Sequence, residues 1–188
     1  MALIQAMIYR KGEMLRIFKK ILTTGVVTER FKTPGDDELE ALGIQIKNHI
    51  DKKFSGSIAI RQVDAGSCNG CELEIHALNN PYYDIERFGV HFVASPRHAD
   101  VLLVTGPVSR HMQTALLRTY EATPNPKWVV AAGDCAACGG EFGVSYASCG
   151  AVSNVIPVDA VIPGCPPTPL ALMKGLLGLM NVRNEKML

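Results

Sequence analysis

The chain has 188 residues, 47% of them hydrophobic, and a formal net charge of +1 from 19 Lys and Arg against 18 Asp and Glu. That length suits one domain with an appendage, the near-neutral balance gives nucleic acid or a basic membrane patch no footing, and no apolar run approaches the roughly 18–20 residues of a spanning helix. Basic residues interrupt the first 21 positions, so they do not read as a signal peptide, and the six cysteines of a signal-free, apolar chain point to metal or redox chemistry before disulfides.

Met14 to Leu22 carries a helical period. Met14, Leu15, Ile17, Phe18, Ile21 and Leu22 share one face, with Arg16, Lys19 and Lys20 opposite. Two readings stand: a surface helix packed on its own domain, or an arm whose apolar face docks on a partner subunit or lies on a membrane. A polar stretch, residues 28–34, separates it from the rest of the chain. Pro34-Gly35 then turns the chain into a second helix with Asp36 or Asp37 as N-cap. Leu39, Leu42, Ile46 and Ile50 form its stripe, and Lys52-Lys53 suit its negative end. Gly56 marks a break. Residues 1–55 therefore read as an N-terminal helical extension and 56–188 as the main domain.

From Ser57 the pattern changes to short apolar runs alternating with helices. The expected strands are 58–63, 89–94, 100–106, 127–132 and 158–162, the third being the most apolar and central. The expected helices are a short one at 73–78, one capped by Ser109 and running to about Glu121, and one opened by Thr168-Pro169. Met112, Ala115, Leu116 and Tyr120 are the expected core contacts of the second. Leu170, Met173, Leu176, Leu177 and Met180 are those of the last. Residues 133–154 form a long stretch rich in Gly, Cys and Ser, which reads as a packed functional loop. The alternation predicts an α/β fold with a parallel sheet and flanking helices. In such sheets ligands bind beyond the carboxyl ends of the strands.

Three cysteine turns fall at those ends: Ser67-Cys68-Asn69-Gly70-Cys71-Glu72, Gly133-Asp134-Cys135-Ala136-Ala137-Cys138-Gly139-Gly140 and Pro163-Gly164-Cys165-Pro166-Pro167. Cys149 stands alone. Cys68 and Cys71 open a helix, where backbone N–H groups and positive potential favour thiolates. A dithiol enzyme would need none of the other turns, whereas four thiolates from separate loops suit a cubane or a tetrahedral zinc. Cys68, Cys71 and Cys165 select themselves. The fourth ligand is open among Cys135, Cys138 and Cys149, and position favours Cys135, next to the strand end and ahead of Gly139-Gly140, where the backbone can approach closely. A single C-x-x-C with scattered cysteines favours iron–sulfur over zinc. His49, His76, His91 and His111 show no ligand pairing.

These segments carry a resemblance. Gly66-Ser67-Cys68-Asn69-Gly70-Cys71-Glu72-Leu73-Glu74, Ser95-Pro96-Arg97-His98-Ala99-Asp100, Pro126-Lys127-Trp128, the Gly-Asp-Cys loop and Ile162-Pro163-Gly164-Cys165-Pro166-Pro167 resemble the family joining nickel–iron hydrogenase small subunits to the complex I subunit that holds the last iron–sulfur cluster. The similarity covers about residues 57–180. It implies a flavodoxin-like fold and one 4Fe–4S cluster on Cys68, Cys71, Cys135 and Cys165, with Cys138 and Cys149 as bystanders. The complex I subunit has adjacent cysteines at the first pair. The spaced pair Cys68-Asn69-Gly70-Cys71 resembles the energy-converting, membrane-bound hydrogenases, including formate hydrogenlyase.

The resemblance implies one-electron transfer in an oxidoreductase complex, with no substrate chemistry on this chain. The implied partners are a nickel–iron large subunit, a ferredoxin-like subunit and integral membrane subunits, with the chain peripheral on the cytoplasmic face of the membrane. A complex I-like quinone or sulfur reductase without nickel and a zinc-binding scaffold are the alternatives. Glu74 is expected either to favour the helix dipole or to act as a carboxylate beside the cluster. Arg97 is expected at a surface turn or at the interface, where a cation would raise the cluster potential.

Overall fold

Strand β3 (Val101–Thr105) lies in the middle of a five-stranded sheet, and all five of its residues are buried. Around it the order is β2 (Val90–Phe92), β1 (Ile58–Asp64), β3, β4 (Trp128–Ala132) and β5 (Ala160–Ile162). Every neighbouring pair is parallel. This 2-1-3-4-5 order is the flavodoxin-like one. The computed structural model describes residues 15–25, 36–54 and 56–182.

Both faces of the sheet are covered, because β3 and β4 are apolar at nearly every position and buried at all of them. One core gathers Ile58, Ile60, Leu103 and Val130 with α2 (Asp36–Lys53), α3 (Gly70–Ala77) and α6 (Pro169–Val182). The other joins Val63, Leu102, Val104 and Val129 to Leu116 of α4 (Arg110–Ala122) and Ala136 of α5 (Asp134–Cys138). Alternate residues of one strand thus feed opposite cores, as the pleat requires.

The chain divides into two compact units, Met1–Pro34 and Gly35–Leu188. Within the first, residues 15–24 form helix α1. Leu15, Ile17, Phe18, Ile21 and Leu22 are each more than half exposed. Met14 and the polar stretch 28–34 lie outside the described residues. The second unit starts ahead of α2, so the boundary expected at residue 55 differs from the one observed. The reason is packing. Leu39, Leu42, Ile46 and Ile50 are all buried in the main core, and Lys53 Nζ donates to the Met180 carbonyl near the end of α6.

The caps expected at Ser109 and Thr168 form, whereas Asp36 and Asp37 lie inside the helix that one of them was expected to cap. Ser109 Oγ accepts from the Met112 N–H at 3.3 Å, and Thr168 Oγ1 from the Ala171 N–H at 3.3 Å. One expected contact does not. Ala115 is exposed on α4, whose one fully buried residue is Leu116. The long stretch after β4 is structured. It holds α5, a 3-10 turn at Val152–Asn154 and an antiparallel bridge between Val144 and Cys149.

Candidate metal centre

Asp64, the last residue of β1, builds the first cysteine turn. Its Oδ1 accepts from the N–H groups of Gly66 and Ser67, each at 2.8 Å. Ser67 Oγ then accepts from the Asn69 N–H at 3.1 Å. Asn69 takes a left-handed backbone, φ 71°, which a short polar side chain tolerates. Helix α3 opens immediately after it. Cys68 is left exposed on the turn, and Cys71 is buried in the first helical turn.

The second and third turns are tied to each other. The Gly133 N–H donates to the Ile162 carbonyl at 2.8 Å. The Asp134 N–H donates to the Gly164 carbonyl at 2.9 Å, and the Gly164 N–H donates back to Asp134 Oδ1 at 2.9 Å. Cys135 and Cys165 are the next residues along. At Gly133, φ is 88° and an added Cβ would lie 2.7 Å from Cys71 Sγ. At Gly140, φ is 53° and a Cβ would lie 2.7 Å from Cys135 Sγ. Glycine suits both positions, because a left-handed backbone favours it and an added Cβ would crowd a thiol. Both glycines bring bare backbone against a thiol.

The thiols share one electrostatic field. Burial pushes the Cys71 thiol up to about 11, and Glu72, Cys135, Cys68 and Cys165 add to the rise in that order. Burial also raises Cys135, followed by Cys165, Cys68, Asp134 and Cys138. Parallel strands β1, β4 and β5 end just before the three turns and so bring Cys68, Cys71, Cys135 and Cys165 to the carboxyl edge of the sheet. Cys138 is exposed and donates to the Asp134 carbonyl at 3.2 Å. Cys149 is buried in the second core, its thiol 3.5 Å from Gln113 Oε1. Among the described residues no group of three or more His, Cys, Asp or Glu side chains is placed to hold a metal ion.

A buried acidic residue that the sequence did not single out stands beside Cys71. Glu74 is half-buried, while Glu72 is only 5% exposed. Thr105 Oγ1 donates to Glu72 Oε1, and Glu72 Oε2 is buried without a partner. The signal lay in the helix itself. Cys71, Ile75 and Leu78 make the inward stripe, and Glu72 stands three residues before Ile75 on the same side. Arg97 is exposed in the 3-10 turn Pro96–His98, ahead of β3. It therefore lies at the amino edge of the sheet, whereas the cysteine turns lie at the carboxyl edge. Five residues of strand separate the two edges by about 15 Å. Of the two places expected for Arg97, the exposed turn agrees with the surface one.

The profile of the family described as "NADH ubiquinone oxidoreductase, 20 Kd subunit" matches residues 68–179, from the first cysteine to near the end of α6. The chain belongs to this family. Among curated relatives, "Formate hydrogenlyase subunit 7" of Escherichia coli is 43% identical over 75% of this chain and 55% of its own length. The chain thus spans about half of that relative. "Probable membrane-bound hydrogenase subunit mbhJ" of Pyrococcus furiosus is 48% identical over 66% of this chain and 75% of its own length. Among solved structures, a chain of the membrane-bound sulfane sulfur reductase, an archaeal respiratory membrane complex, is 35% identical. It covers 74% of this chain and 76% of that one with a TM-score of 0.62. A chain of an NAD+-reducing NiFe-hydrogenase covers 67% and 92% with a TM-score of 0.52. At 20% identity that last likeness speaks for the fold. This member of the 20 Kd subunit family has no helix among its described residues long and apolar enough to cross a membrane.

Proposed function

We propose that the chain is an electron-transfer subunit holding one 4Fe–4S cluster on Cys68, Cys71, Cys135 and Cys165. The observation that carries this reading is the meeting of three cysteine turns at one sheet edge, with the Cys135 and Cys165 turns tied by the Asp134–Gly164 pair and the Gly133 backbone set against Cys71 Sγ. Four soft thiolates suit iron–sulfur, and a cubane spreads them wider than the roughly 4 Å sulfur spacing that a single tetrahedral ion imposes. Bound there, such a cluster supplies one-electron transfer. The protein's own part is to fix the ligands through the Asp64 turn and the Asp134–Gly164 pair, and to set the surrounding charge through Glu72.

The names of the relatives support a place in a membrane-bound hydrogenase complex. In this reading the chain passes electrons between a ferredoxin-like subunit and a nickel–iron site on a large subunit. Partner subunits hold it at the cytoplasmic face of the membrane. A second reading has its own support: the sulfane sulfur reductase chain is 35% identical. It keeps the cluster and replaces the nickel–iron partner with a nickel-free sulfur or quinone reductase subunit.

Two measurements test the proposal. Anaerobic reconstitution of the full chain should give about four irons and four sulfides per chain. A colourless protein with stoichiometric zinc would overturn the cluster. Metal analysis of the complex co-purified from its own cells then separates the two partners. Nickel, with two C-x-x-C pairs in the large subunit, supports the hydrogenase, and their absence supports the reductase.

A further inference from the structure

β2 stops at Phe92 while β1 runs on to Asp64, so the side of β1 that faces β2 has no strand beside it from Gln62 onward. A cavity of about 230 Å³ opens in that gap. Arg61, Gln62, His76 and Asn79 bring polar groups to it, and Ile75 and Phe92 give it an apolar wall. Its lining holds no acidic residue. Arg61 lines it with no ion pair among the described residues, and its Nε is shut away from solvent with no hydrogen-bond partner.

A guanidinium is always charged, and its fork of N–H donors matches a planar oxyanion. No ion pair among the described residues cancels that charge, whereas a carboxylate in the slot would cancel it. Gln62 and Asn79 carry amide donors, and His76 carries a ring N–H. The apolar wall favours an anion on a hydrophobic body over a bare, strongly hydrated one. The structure assigns this slot as a binding site for a carboxylate carried on an apolar group, with Arg61 as its anchor. The slot shares no lining residue with the cysteine turns.

The carboxylate could belong to a free small acid or to a partner polypeptide, and the test distinguishes them. Benzoate and its neutral isostere benzamide are titrated into the full chain by calorimetry and by thermal melting. Wild type should bind benzoate saturably and melt higher with it, and benzamide should do neither. Arg61→Gln should weaken benzoate binding at least tenfold while melting no lower than wild type without ligand, because the unpaired charge is gone. Arg61→Lys keeps the charge without the fork and should bind with intermediate strength, which preserves the test if the first variant folds poorly. Repeating the titration on the assembled complex assigns the source. Retained benzoate binding points to a free acid, and blocked binding to a partner's carboxylate. Equal binding of benzoate and benzamide, no saturable benzoate binding to the isolated chain, or full benzoate binding by Arg61→Gln would overturn the assignment.

Discussion

Asp134 and Gly164 are joined twice, once from the Asp134 N–H to the Gly164 carbonyl and once from the Gly164 N–H to Asp134 Oδ1, both at 2.9 Å. The first bond is backbone to backbone and any residue with an N–H could make it. The second needs an acceptor at position 134. Together they set the spacing between Cys135 and Cys165, which lie 30 residues apart in sequence.

Asp134→Ala removes the second bond and leaves the Gly164 N–H without it. The expected loss is about 1–2 kcal/mol of stability in the apo chain, read by urea denaturation. Iron retained after reconstitution should fall with it. Asp134→Asn keeps an acceptor oxygen and should lose less on both counts.

Gly133→Ala places a methyl 2.7 Å from Cys71 Sγ on a backbone with φ 88°. Reconstitution should give well under half the wild-type iron, measured colorimetrically per chain. Gly178→Ala is the control, since nothing lies within 4 Å of its added Cβ and it sits on α6. It should hold wild-type iron and gain up to about 1 kcal/mol from helix propensity.

Alkylation of the reduced apo chain should track exposure and acidity. Cys68, Cys138 and Cys165 are exposed and should label first at neutral pH, and Cys71, buried and with its thiol raised, last. Cys71 is raised to about 11, so its labelling should keep climbing as pH rises toward that value. A thiol held neutral by the fold contributes stability that is complete below its unfolded pKa. That stability is lost as pH climbs through the folded value. The apo chain should therefore weaken between about pH 9 and 11, seen as a falling melting temperature.

Glu72→Gln removes a negative charge that sits beside Cys71 and pushes its thiol up. A reduced cluster gains negative charge, so the variant's midpoint potential should rise, on the order of 50 mV, in an EPR-monitored redox titration. Glu74→Gln, at a half-buried position, should shift it less.

Much of this was legible in the sequence, and the reasons are local. Strand β3 announced itself because its run of apolar residues suits a strand buried on both faces. Caps at Ser109 and Thr168 arise from side-chain chemistry within one helical turn. The bond between Asp134 and Gly164 could not be read, because it joins loops whose spacing only the folded sheet sets. The end of the sheet that Arg97 occupies was unreadable for a related reason. Its nearness to the central strand is real, but strand direction puts it at the opposite end from the cysteines. Glu72 was passed over in favour of Glu74 because burial on a short helix depends on which face meets β3, where Thr105 receives it.

The most direct test of the central claim is a set of six single Cys→Ser variants of the full chain. Each is reconstituted anaerobically and assayed for iron, sulfide and the EPR signal of the dithionite-reduced cluster. Cys138→Ser and Cys149→Ser should keep wild-type iron and an unchanged 4Fe–4S signal. Cys68→Ser, Cys71→Ser, Cys135→Ser and Cys165→Ser should each lose or alter the signal and hold less iron. A full cluster in Cys135→Ser together with its loss in Cys138→Ser or Cys149→Ser would contradict the ligand set.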